Sequence, residues 1–125
     1  MTVLLVVLLG GLGAATRFVV DGVVTQRSGT GLPVGTMLVN VSGSALLGLL
    51  TGARLFHGLD ETAYVVLAVG FCGGYTTFST AMVETVRLAQ GGDVRRAVVT
   101  VTGSLVLAVA AAAAGVAAMA ALDAL

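Results

Sequence analysis

The sequence predicts an all-α integral-membrane fold of four spanning helices, and three observations carry that prediction. Hydrophobic residues make up 58% of the 125-residue chain, charged residues only 10%, and the apolar residues fall into four long runs parted by short polar connectors. A soluble domain typically carries about 25% charged residues, so this chain lacks the polar surface that water requires. A spanning helix needs roughly 20 predominantly apolar residues. Residues 3–24, 33–53, 63–86 and 97–122 each supply such a run. No linker is long enough to divide the chain, so residues 1–125 read as one membrane domain.

The first run, from Val3, passes Gly13, Ala14 and Ala15 and resembles a secretory leader with its cleavage site. It has no positive n-region, and Phe18 to Val20 continue the apolar stretch, so a first spanning helix is the expectation. Arg17 and Asp21 stand four apart within it, on one helical face and near enough to pair. As a pair they would form an interfacial ion pair; alternatively, Arg17 is a cation at the mouth of an anion path.

The second run opens on Pro33, a residue suited to a helix's first turn. Thr36, Asn40 and Ser44 follow at intervals of four and make a polar stripe on one face. A buried Asn either joins helices or donates its amide to a passing anion.

The third run reads Gly70-Phe71-Cys72-Gly73-Gly74-Tyr75-Thr76-Thr77-Phe78-Ser79-Thr80-Ala81. Paired glycines followed by β-branched and hydroxyl residues make a poor uninterrupted helix. The prediction is a helix broken near Gly73–Thr80, allowed at membrane depth only where protein or water covers the freed backbone groups. The alternative is a continuous helix in which glycines mediate packing. Glu84 and Arg87, near the end of this run, are spaced to pair.

The fourth run is rich in Ala, which favours close helix packing, and carries Thr100 and Ser104 four apart. Hydroxyls so placed bond back to their own helix or line a path.

Charge orients the bundle. All six basic residues are Arg. Arg27, Arg87, Arg95 and Arg96 flank the first and third connectors, whereas Arg54 alone flanks the second. The positive-inside rule then places connectors one and three, and neither terminus, in the cytoplasm. Formal net charge is zero, so nothing points to a nucleic-acid partner. The single Cys72 has no second thiol for a disulfide or metal pair, and His57 stands alone. Gly11-Leu12-Gly13 lacks the third glycine and strand context of a dinucleotide fingerprint. No paired carboxylates, nucleophile–base set or His cluster is present, so the chain is not expected to be an enzyme.

Four segments resemble the Fluc/CrcB fluoride channels of bacteria: Gly10 to Gly13 running on to Arg17, Pro33-Val34-Gly35-Thr36 with Val39 to Gly43, Gly70 to Thr80, and Glu84. The match covers essentially the whole chain in order. The resemblance implies an inverted (antiparallel) dimer with the broken third helix at its centre. It also implies a structural sodium ion held by backbone carbonyls, here those of Gly73 and Thr76. The same resemblance makes Asn40 and Phe78 pore residues, the ring offering its positive edge to an anion. Thr77, Ser79, Thr80 and Ser104 add hydroxyls to the fluoride pathway, and Arg17 lies in the vestibule. The implied function is passive fluoride export through a bacterial cell membrane.

The family's third segment carries a second Phe three residues after the first, where this chain has Ala81. With the Arg bias, that departure raises a heterodimer with an inverted homologous subunit beside the homodimer. Two further readings are a proton-coupled small multidrug transporter and a non-conducting structural subunit. The transporter requires a deeply buried carboxylate, whereas Asp21 and Glu84 lie toward span ends.

Overall fold

A computed structural model describes all residues, 1–125, and is helical throughout. Four helical spans are long and apolar enough to cross a membrane. Helix α1 covers Thr2–Ser28 and stops at Gly29, whose φ of 58° is the left-handed cap that glycine adopts readily. Helix α2, Val34–Phe56, starts immediately after Pro33, which occupies the cap position rather than the first turn. The last span, α6, covers Val94–Asp123. Asp93 accepts from the Arg96 amide at 3.1 Å and pairs with its side chain at 3.3 Å, offsetting two arginines in that first turn. Helices run a few residues beyond the predicted apolar limits because such capping interactions extend them into the connectors.

The third span is composite. A single turn, α3 (Glu61–Tyr64), is capped by Asp60, which accepts from the Ala63 amide at 3.0 Å. A π-helical stretch, Val65–Cys72, follows, then a last turn, α4 (Gly73–Tyr75). Thr76 and Thr77 are extended, with ψ of 157° and 123°, before α5 resumes at Phe78–Gln90. The predicted interruption is therefore present, and it occupies two residues instead of eight. Glycine packing, posed as the alternative to a break, is present as well.

Two glycine seams assemble the bundle. A β-carbon on Gly74 would sit on the Gly10 carbonyl oxygen, and one on Gly13 would strike the Phe71 carbonyl. Gly70 packs likewise against Val6 and Leu9. These contacts join α1 to the π-helical stretch and α4. The second seam joins α2 to α6: Gly48 lies against Ala112, Gly52 against Met119, and Gly115 against Ala45 and Leu49. Small residues let backbones approach closely where lipid supplies no hydrophobic drive between helices. Only 14 of the 125 residues are buried, so the apolar side chains of α1 and α6 lie mostly on the outside, as a bilayer solvent demands.

Candidate functional site

The site is built around the two extended residues. In a continuous helix the Thr77 amide would close on the Gly73 carbonyl; here it donates to Asn40 Oδ1 at 2.8 Å. Asn40 Nδ2 returns a bond to the Thr77 carbonyl, also at 2.8 Å. One side chain of α2 thus satisfies both backbone groups of the residue at the break. One amide N–H of Asn40 is left over. The Thr77 hydroxyl caps α5, accepting from the Thr80 amide at 3.2 Å and donating to the Thr80 hydroxyl at 3.1 Å. Thr76 turns its hydroxyl back to the Cys72 carbonyl at 2.8 Å, and its amide bonds the same oxygen at 2.9 Å.

The Thr76 carbonyl accepts no hydrogen bond from within the chain. With the Thr77 amide diverted, the Gly73 carbonyl loses its usual partner as well. These two oxygens are the ones that the family resemblance implies for a structural cation. No group of three His, Cys, Asp or Glu side chains converges in the molecule.

Arg17 reaches the same region from α1. Its Nε donates to the Gly74 carbonyl at 3.3 Å. The anticipated pair with Asp21 is not formed: Asp21 instead accepts from the Thr25 hydroxyl at 3.2 Å and lies against Gly35. Asp21 is partly buried against Gly35 and Thr25, and the Gly74 carbonyl at the end of α4 takes the guanidinium. Glu84 and Arg87 form no ion pair either; the two in the molecule are Arg54–Glu61 and Arg96–Asp93.

Beside the break, α2, α5 and α6 enclose a cavity of about 400 Å³. The predicted stripe of Thr36, Asn40 and Ser44 lines it from α2, Thr100 and Ser104 from α6, and Gly73, Thr76, Thr77 and Phe78 from the broken span. Ala81 and Glu84 complete the α5 wall. Thr36 is 2% exposed with its hydroxyl unpartnered, and it faces Glu84, whose Oε2 is buried and equally unpartnered.

Of the residues assigned to an anion path, Asn40, Thr77, Phe78 and Ser104 line this space. Ser79 is exposed away from it, and Thr80, whose hydroxyl accepts from Thr77, is not among the lining residues. Phe78 exposes 78% of its surface, so most of its ring faces outward from the subunit. Ser104 and Thr100 do not bond back to their own helix. Thr36, Ser44, Thr100 and Glu84 were not assigned to the path from the sequence, although the four-residue spacings placed the hydroxyls correctly.

Comparison with known proteins places the sequence among named relatives. Residues 4–116 match the family model described as CrcB-like protein, Camphor Resistance (CrcB). A protein of Leifsonia xyli subsp. xyli named fluoride-specific ion channel FluC 1 is 49% identical over 92% of this chain and 84% of its own length. One of Rhodococcus jostii, named fluoride-specific ion channel FluC 2, is 49% identical over 94% of this chain and 92% of its own. A FluC 2 of Cutibacterium acnes is 52% identical over 73% of this chain and 75% of its own length.

Proposed function

The chain belongs to the CrcB-like family, and on that premise we propose that it is a subunit of a fluoride-selective channel. It is a multi-pass membrane protein, and the proposed setting is the bacterial plasma membrane. The observation that carries the reading is the polar cavity beside an interrupted helix. There Asn40, Thr36, Ser44, Thr77 and Ser104, drawn from three spans, gather at membrane depth, where polar groups are costly. The relatives are named as channels, in keeping with the expectation that the chain is not an enzyme.

Fluoride is small and strongly hydrated, so a pore must replace its water donors closely. The free N–H of Asn40 and the hydroxyls of Thr36, Ser44 and Ser104 supply donors in sequence, and the Phe78 edge supplies partial positive charge. Transport is passive: weak acid enters as neutral HF, ionises inside, and the anion leaves down the membrane potential. Arg17, whose Nη atoms make no bond within the chain, adds positive charge near the break.

The exposed Phe78 ring and the freed Gly73 and Thr76 carbonyls support an inverted dimer joined at the interrupted span. The two carbonyls fit a structural sodium ion in kind, being hard neutral oxygens without a donor, and a second subunit would contribute the rest of the set. Bound there, such an ion would supply positive charge between the subunits.

Ala81 supports a second reading. With a methyl group where the family has a ring, and arginines biased to one side, the chain forms a heterodimer with an inverted homologue. Its own pore wall then acts mainly as support.

Fluoride release from liposomes, read by electrode with chloride as control, tests both readings. Release by the chain alone establishes a homodimeric channel; release only with a homologous partner establishes the heterodimer. No release in either case rejects the channel.

A further inference from the structure

The break leaves more backbone groups without helical partners than Asn40 alone satisfies. Helix α4 ends at Tyr75, so the last carbonyls of this turn have no following amide to receive. Asn40 satisfies Thr77 from one side. On the other side the Gly74 carbonyl, at the tight contact of α4 with α1, is met by Arg17 alone.

We propose that Arg17 is a positioning residue for the interrupted helix. Its Nε–H holds the Gly74 carbonyl toward α1, so that Gly73 and Thr76, and not Gly74, present their oxygens at the break. This inference rests on the channel reading for its consequence, but not for its geometry.

Three observations on the page support it. The bond joins residues 57 apart in sequence, from a half-buried side chain. Asp21, the acid one turn away, does not compete for the guanidinium. The glycines at 10, 13 and 74 bring α1 within reach, because a side chain at Gly74 would push the two backbones apart.

The bond also depends on the donor's shape. A guanidinium carries an N–H partway along the side chain, at Nε, while its Nη edge points elsewhere. Lysine keeps the charge but has only a terminal ammonium, and so cannot donate from that position while leaving its end free. A residue that merely attracts anions should tolerate lysine; a residue that orients Gly74 should not.

The test compares wild type, R17K and R17Q in proteoliposomes by two readouts. One is fluoride efflux. The other is the rate at which N-ethylmaleimide labels Cys72, the sole cysteine, which is 2% exposed and immediately precedes α4. The expected result is that both variants lose at least about tenfold in efflux and label about tenfold faster, because a charged hydrogen bond to a covered carbonyl is lost.

R17K matching wild type in both readouts while R17Q loses efflux would overturn the proposal and leave anion attraction as the role of Arg17. Should both variants fail to fold, wild type decides by nitrogen-15 NMR of the arginine Nε–H groups. Slow proton exchange at Arg17 supports the bond to Gly74, and exchange as fast as at the exposed Arg95 overturns it. If wild type carries no fluoride, the channel reading fails, while the Cys72 rates still decide the clamp.

Discussion

Asn40 and Thr77 exchange two hydrogen bonds, each 2.8 Å long, between one side-chain amide and both backbone groups of the residue at the break. That reciprocity makes the interruption a built element rather than a frayed helix. Buried amide and carbonyl groups without partners each cost about 1–3 kcal/mol, and here a single side chain removes two such costs at membrane depth.

Asn40→Ala should therefore lower unfolding stability by about 2–4 kcal/mol, from two lost hydrogen bonds, and reduce fluoride efflux at least about tenfold. Asn40→Asp keeps the acceptor for the Thr77 amide but loses the donor and adds negative charge to the cavity. It should retain more stability than Asn40→Ala while conducting no better. Thermal melts in detergent and electrode-recorded efflux measure the two effects.

Gly74→Ala should prevent normal assembly. Its methyl group would occupy the position of the Gly10 carbonyl oxygen, and overpacking of this kind costs about 1–3 kcal/mol or more. Gly11→Ala, with nothing within 4 Å of the added carbon, should be neutral or stabilise slightly through helix propensity. Yield and monodispersity on size exclusion distinguish the two glycines.

Ala81→Phe should fold, since the position opens on the cavity of about 400 Å³. If the missing ring limits this subunit, the variant alone should release fluoride several-fold faster than wild type. An unchanged rate would assign the limit to another wall of the path.

Replacing sodium by N-methylglucamine should lower the melting temperature of the assembled protein, and sodium should restore it. A ligand at 100 times its Kd contributes about 2.7 kcal/mol, which corresponds to a shift of several degrees for a domain of this size. Equal melting curves in the two cations would count against a structural ion at Gly73 and Thr76.

Much of this architecture was legible because bilayer solvation is demanding. The four spans follow from hydropathy and length, and the break follows from Gly73-Gly74 meeting Thr76-Thr77. The four-residue spacing of Thr36, Asn40 and Ser44 put all three on the cavity. The width of the break was harder to read: the Asn40 amide and the Thr77 cap restart the helix at Phe78, two residues before the polar run ends at Thr80.

Other features had no local signal. The π-helical stretch Val65–Cys72 is uniformly apolar, and no side-chain period announces an extra residue per turn. Helix spacing paired Arg17 with Asp21, because a neighbour in sequence is visible and an orphan carbonyl 57 residues away is not. Glu84 reads from its spacing as an interfacial charge beside Arg87, whereas in the fold it lies against Thr36 of α2, a neighbour that spacing along one helix cannot show.

The two glycine seams also set where this sequence is free to drift. Gly48, Gly74 and Gly115 sit where backbone meets backbone, so even a one-carbon addition has no slack to use. The outward faces of α1 and α6 are apolar and largely free of protein contacts, and a bilayer asks of such faces apolarity and nothing more specific. A library of single replacements would divide accordingly, with intolerance running along two narrow lines and most of the apolar bulk interchangeable.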